Sequence, residues 1–317
     1  FNIGLTGRLA SIFFFTMVII SVIVACTFFF SGNWSTSNIT SYGGMFPKGF
    51  NGIFIAFAVF SLKFIGFEMT PTMIEETNFP ASKMWKIILS ALFVPALLYL
   101  FVVMAIGGMA PWEEIASMNM PEPELVAKFG LPGIIGIAAI VAGILHALTT
   151  LMGFWVASAR VLYGASQLNQ LPKAFMKLNK HGQPYIANLV VLFFSIFFCL
   201  FTGDNWVQYI YAVSCIAAGL VYFICCVDAM VLRKKFPEWE RPYKAPGGNA
   251  LFIAGMIVSI WIIIGSSLEL PIGGYISLAI YSVIGIVLYM IMGSIRKNNP
   301  KDHELITLTP KDIDSFK

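Results

Sequence analysis

FIGFEMTPTMIEET, residues Phe64 to Thr77, places a carboxylate, Glu68, and a proline, Pro71, inside a stretch that is otherwise apolar. A charged side chain at bilayer depth costs at least roughly 2.5 to 3.5 kcal/mol, so such groups are paired or line a substrate or ion path. Lys63 stands just upstream. On an unbroken helix Lys63 and Glu68 would lie about 140° apart around the axis, too far for a good pair. A break at Gly66 lifts that restriction. At membrane depth a break survives only where protein or water covers the freed backbone, which makes it a natural binding site. The competing reading is a kinked span in which Glu68 pairs structurally with a neighbour.

The membrane setting follows from the rest of the chain. Of 317 residues, 58% are hydrophobic and only 11% charged, whereas soluble domains carry about a quarter charged residues. A spanning helix needs about 20 mostly apolar residues. Eight such stretches occur, near 9–30, 52–74, 84–106, 131–163, 186–203, 207–232, 250–270 and 275–295. The short alternating segments of a membrane β-barrel are missing. The expected fold is an all-α integral membrane protein.

The net charge of +4 matters less than where the charges fall, because cytoplasmic loops hold the excess of Lys and Arg. One alternating assignment puts Arg8, Lys83, Lys86, Arg160, Lys173, Lys177, Lys180, the run from Arg233 to Lys244 and the tail after Arg296 inside. Only Lys48 and Lys128 then fall outside. Both ends of the chain are thereby expected in the cytoplasm of a multi-pass protein of the plasma or inner membrane. Cys26, Cys199, Cys215, Cys225 and Cys226 all sit in apolar stretches and read as packing residues. The chain opens at Phe1 without an initiator methionine, and its first apolar run is too long for a signal-peptide core, so a preceding segment is expected.

Two outward loops stand out. The first carries the sequons Asn33-Trp34-Ser35 and Asn38-Ile39-Thr40, a pattern common by chance. The second, from Gly107 to Gly130, carries Glu113, Glu114, Glu122 and Glu124 and reads as a solvated acidic loop. Inside, Gly164 to Pro184 is a basic, proline-interrupted connector. The fourth span is rich in Gly and Ala, which let helices approach closely, and then bears His146, Thr149, Thr150, Phe154 and Trp155. His146 reads as a bonded packing residue. Thr149 and Thr150 are candidate sodium ligands, although threonine hydroxyls commonly bond their own helix carbonyls. Arg160 can snorkel near the inner end. There is no Gly-rich nucleotide loop, H-E-x-x-H, metal-spaced His/Cys cluster or nucleophile elbow. Neither an enzyme, a cofactor nor a nucleic-acid partner is expected.

Four motifs in order carry a family resemblance. FIGFE followed by EETNFP at Glu75 to Pro80 is similar to the sixth helix of the amino acid, polyamine and organocation permeases. Ser158 to Pro184 resembles their eighth-helix end and following loop, RPYKAPGG at Arg241 to Gly248 the signature after their tenth helix, and FNIGLTGRLA the entry to their fifth. The resemblance covers most of the chain, to about Arg296. In that register the eight spans match family helices five to twelve of a LeuT-type inverted-repeat fold, and the first four helices are absent. Residues 1–51 then hold the last helix of the first repeat with its outer loop, 52–249 the second five-helix repeat, 250–295 two peripheral helices and 296–317 a cytoplasmic tail. Half a binding site is implied, since the first family helix contributes the other half.

The resemblance further implies that Ile65, Gly66 and Phe67 form an unwound segment whose backbone bonds a substrate amino group. Glu68 becomes an inner gate and a candidate for proton coupling, with Tyr222, eight residues after Ser214, as the aromatic that closes against it. Phe154 falls where a gating aromatic is found. Lys63 departs from the family pattern and disfavours a cationic substrate, and Ser214 and Lys63 join the expected substrate contacts. The expected function is alternating-access transport of amino acids or related amines, as a proton symporter or an exchanger, with sodium the weaker coupling ion. The alternative is a non-transporting structural or binding subunit, or a truncated inactive permease. A channel is disfavoured by the lack of a repeated pore loop or charged ring.

Overall fold

The computed structural model describes residues 3–40, 43, 44, 46–76, 80–199, 206–241, 243–268, 270–307 and 309. Among these the chain is helical, apart from one isolated bridge between Leu178 and Pro184. The main helices are α1 (Ile3–Phe29), α2 (Gly49–Phe60), α3 (Met84–Gly107), α4 (Gly133–Gln167), α5 (Tyr185–Cys199), α6 (Trp206–Lys235), α7 (Gly248–Leu268) and α8 (Ile272–Asn298). Seven helical stretches among the described residues are long and apolar enough to cross a membrane. The protein is thus a multi-pass membrane protein.

One of the eight expected spans comes out short. In 186–203 the described helix α5 has 15 residues, and at 1.5 Å per residue it reaches only about 22 Å of a roughly 30 Å hydrocarbon core. Residues 200–205, where the sequence pattern continues it, lie outside the described residues.

The chain groups into two compact units, Phe1–Gly52 with Leu89–Val156, and Ile53–Ile88 with Ala157–Lys317. The first is built around Val24, Ala25 and Phe28 of α1, which pack with Ala105, Met109, Ala110, Leu125 and Val126. The loop after α1 is stitched to the end of α3. Trp34 Nε1 donates to the Met104 carbonyl at 3.0 Å, and Ser35 N and Asn38 Nδ2 both donate to Gly108 O at 2.8 Å. A side chain at Gly108 would meet the Trp34 ring at 2.0 Å, so only glycine fits beneath it. Both sequon amides are engaged, since Asn33 Nδ2 donates to Ser31 O at 3.3 Å.

The expected acidic loop is instead two short helices, Trp112–Ser117 and Pro121–Lys128. Glu113, Glu114, Glu122 and Glu124 all fall in first turns, where they oppose the positive end of each helix dipole. Glu124 Oε1 accepts the Asn119 and Met120 amides at 3.0 and 2.8 Å, and Glu114 pairs with Lys128. Prolines at the helix starts complete the start signal that charge counting alone does not read.

In the second unit, helices meet through small residues, as expected where lipid supplies no hydrophobic drive between helices. A Cβ at Gly265 of α7 would come within 2.5 Å of Ala58 Cβ on α2, and one at Gly219 of α6 within 3.2 Å of the Ser259 carbonyl on α7. Trp261 locks the same face of α2: its Nε1 donates to Phe54 O at 3.1 Å, and its ring stacks on Phe57 at 4.2 Å.

Polar bonds also tie the last helix back to the end of α4. Asn169, left-handed at φ 57°, donates through Nδ2 to the Glu304 carbonyl at 2.7 Å, and its own carbonyl accepts Arg296 Nη1 at 3.3 Å. Ile306 N then donates to Leu168 O at 3.4 Å.

Candidate functional site

The stretch 52–74 is not one continuous helix. After α2 the backbone tightens into a 3-10 turn, Ser61–Phe64, then Ile65 swings extended (φ −60°, ψ 132°) and Gly66 takes φ 126°. A second 3-10 segment, Phe67–Glu76, follows with Pro71 inside it. The local chemistry explains this course. Pro71 has no N–H to donate, and on a regular helix its ring would strike the carbonyl four residues back. The region at φ 126° is open almost only to glycine.

Breaking the helix leaves amides and carbonyls outside the regular ladder. One amide is taken up by the neighbouring carboxylate: Gly66 N donates to Glu68 Oε2 at 2.9 Å. Met69 N returns to Gly66 O at 3.1 Å. The half-buried Glu68 therefore caps the second segment, and the charge that was costly in a continuous helix has a specific acceptor role.

Helix α6 flanks the break on two levels. At Cys215 the sulfur accepts from Ser61 Oγ at 3.9 Å and faces the Val59 carbonyl at 3.8 Å. About 10 Å further along the axis, the ring of Tyr222 meets that of Phe67 with centroids 5.7 Å apart. The Tyr222 hydroxyl is buried close beside the Glu68 carboxylate. Ser214 lies half-buried one residue before Cys215.

The structure thus gathers Gly66, Phe67, Glu68 and Tyr222, with Ile65 in the same turn. Lys63 is exposed on the turn before the break. Phe154, Thr149 and Thr150 lie on the part of α4 that belongs to the other compact unit. There Phe154 is half-buried, and the Thr149 hydroxyl donates to the Leu145 carbonyl, the local helix bond noted above. Of the motif Glu75 to Pro80, residues 77–79 lie outside the described residues. Among the described residues no cluster of three metal-ligating side chains is found.

Two residues matter more than the sequence reading allows. Arg160 Nη1 reaches the Thr72 carbonyl at 3.5 Å, so its guanidinium touches the second 3-10 segment as well as snorkelling. Arg241 bonds three carbonyls at the end of α6: Nη1 to Trp239 O at 2.8 Å, Nη2 to Phe236 O at 2.8 Å and Nη2 to Leu232 O at 3.1 Å. Next to it Tyr243 stacks on Trp85 at 4.8 Å. Replacing Arg241 with alanine is expected to cost on the order of 1.5–3 kcal/mol, and lysine, lacking the planar fork, to recover only part of it. Thermal unfolding of the detergent-solubilised variants measures this, and an unchanged midpoint for Arg241→Ala would remove the capping role.

Comparison with known proteins agrees in kind. Residues 2–306 match the family model described as amino acid permease. The chain is 26% identical to the branched-chain amino acid permease BcaP of Bacillus subtilis over 249 residues, 78% of this chain and 51% of that protein. It is 26% identical to the gamma-aminobutyric acid permease of the same organism, over 75% of this chain and 53% of the relative. With the D-serine/D-alanine/glycine transporter of Escherichia coli it shares 28% identity over 74% of this chain and 51% of the relative. The chain spans about half the length of these curated relatives.

Proposed function

This chain belongs to the amino acid permease family, and from that premise we propose that it acts in transport of a neutral, zwitterionic amino acid by alternating access. The observation that carries the reading is the break at Ile65–Gly66, with Glu68 and Tyr222 beside it. The backbone of the unwound segment Ile65, Gly66 and Phe67 suits a substrate amino group, and the Phe67 ring covers the apolar part of the ligand. The relatives named above are named for branched-chain amino acids, gamma-aminobutyrate, and D-serine, D-alanine and glycine. All are zwitterions without a cationic side chain, in keeping with Lys63 at the approach to the break.

Glu68 supplies the coupling. As a carboxylate it accepts the Gly66 amide. As a neutral acid its O–H can donate to the hydroxyl oxygen of Tyr222, buried beside it. Protonation therefore turns one carboxyl oxygen from acceptor to donor while the other can still accept the Gly66 amide, and a proton arriving with substrate biases one face of the cycle. Sodium through Thr149 and Thr150 is the weaker proposal, because the Thr149 hydroxyl is already used within its helix. The positive-inside distribution supports a plasma or inner membrane location with both ends of this chain cytoplasmic.

The test is uptake of labelled neutral amino acids by purified protein in liposomes under an inward proton gradient. No uptake above protein-free liposomes for any of them, whether the liposomes are empty or preloaded with unlabelled amino acid, would sink the transport reading in favour of a non-transporting binding subunit. Within that assay Tyr222→Phe removes only the hydroxyl beside Glu68 and keeps the ring on Phe67. It is expected to leave the unfolding midpoint no lower than that of wild type while slowing uptake roughly tenfold, the worth of one hydrogen bond in the cycle. Slowing accompanied by an equal loss of stability would point to packing instead.

A further inference from the structure

We propose that the junction of α6 and α7 holds a site for the phosphate headgroup of an anionic lipid. Five basic residues, Arg233, Lys234, Lys235, Arg241 and Lys244, fall within twelve positions, against two acidic ones, Glu238 and Glu240. The charges are not neutralised locally: among the described residues Lys234 and Lys244 are exposed and make no ion pair. Arg241 is already committed to the carbonyls that end α6. Lys235 lies over the Phe236 ring at 5.4 Å, which leaves Lys234 and Lys244 as the exposed ammonium groups of the run.

An open pocket lies at this junction, lined by Met230, Val231, Arg233, Lys234 and Asn249. Its two halves differ in chemistry. Met230 and Val231 belong to the apolar spanning part of α6, and Val231 is 50% exposed there. Arg233 and Lys234 lie in the last turn of the helix, and Asn249 in the first turn of α7. The pocket therefore straddles the boundary between acyl chains and headgroups, a setting that fits a lipid and gives a free anion only half a site. Arg233 is held in place rather than floating. Its guanidinium lies over the Phe252 ring at 4.6 Å, and Nη2 donates to the Ala245 carbonyl at 3.4 Å, leaving further N–H groups for an anion. Lys234 adds a second, mobile charge.

Mass spectrometry of the intact protein released from micelles containing equal amounts of phosphatidylglycerol and phosphatidylcholine reads the site directly. The wild-type chain is expected to retain phosphatidylglycerol preferentially. Lys234→Gln should weaken that retention about fivefold, the worth of one basic residue at a membrane surface, and Lys234→Glu by more. Lys297→Glu, a charge reversal in the last turn of α8, should change it less than twofold. Millimolar inorganic phosphate should not displace the lipid. Equal retention by wild type and Lys234→Gln overturns the site. An equal loss in Lys297→Glu overturns it too, since that is general surface attraction, and displacement by phosphate overturns the lipid as occupant.

Discussion

With Glu68 replaced by glutamine, proton-driven accumulation in liposomes is expected to collapse to the level of simple equilibration. Uptake rates should then become flat between about pH 5 and 8. The magnitude follows from the driving force: one proton moving down a gradient of one pH unit supplies about 1.4 kcal/mol, enough for roughly tenfold accumulation of a co-transported neutral zwitterion. The substitution is a clean one. Glutamine keeps an oxygen to accept the Gly66 amide, so the bond seen at 2.9 Å and the break it caps are retained while the titratable proton is lost. Glu68→Ala differs, because it leaves the Gly66 amide without its acceptor and should lower stability by about 1–3 kcal/mol as well. Uptake by Glu68→Gln that still rises as the outside is acidified, as in wild type, would remove Glu68 from coupling. An exchanger would show the contrast in its rate alone, with gradient-driven accumulation missing from wild type too.

Gly66→Ala is expected to be nearly as damaging, through the backbone. A β-carbon at φ 126° is strained whatever space surrounds it, at a cost on the order of 1–3 kcal/mol. The chain can relieve that strain only by turning residue 66 toward helical or extended values. Either move redirects the Ile65 carbonyl and separates residue 66 from the Glu68 carboxylate that accepts its amide. The variant should show a lower unfolding midpoint in detergent and little uptake even at saturating substrate. Wild-type midpoint together with wild-type uptake would mean that the break does not need a left-handed residue.

Much of this was legible in the sequence, though unevenly. The spans followed from apolar run length, and the break from Gly66 and Pro71, two residues whose backbone chemistry is local. The aromatic neighbour of Glu68 on α6 was not local. Nothing in spacing alone joins it to a tyrosine 154 positions away on another helix; that expectation came from the family resemblance, and the structure places Tyr222 against Phe67. Arg241 was hidden for a related reason. A basic motif after a span reads as surface charge, and only the folded turn shows its guanidinium reaching back nine residues to Leu232. The loop from Gly107 to Gly130 read as solvated because its glutamates were counted rather than placed, whereas their positions just after Pro111 and at Pro121 were helix-start signals. The length of α5 depended on residues 200–205, where the apolar run meets Thr202, Gly203 and Asp204.

The bonds that join Asn169 to the backbone of Glu304 bear on how the protein is made. Their partners stand 135 positions apart. At a synthesis rate of about 5–20 residues per second, the end of α4 waits on the order of 10 to 30 s for Glu304 to be made. Until then the left-handed turn at Asn169 rests on its local bonds alone, Asn169 N to Ser166 O at 3.0 Å and Gln170 N to Ala165 O at 2.8 Å. A chain cut short before Glu304 keeps that turn and loses only its tie to the end of the molecule.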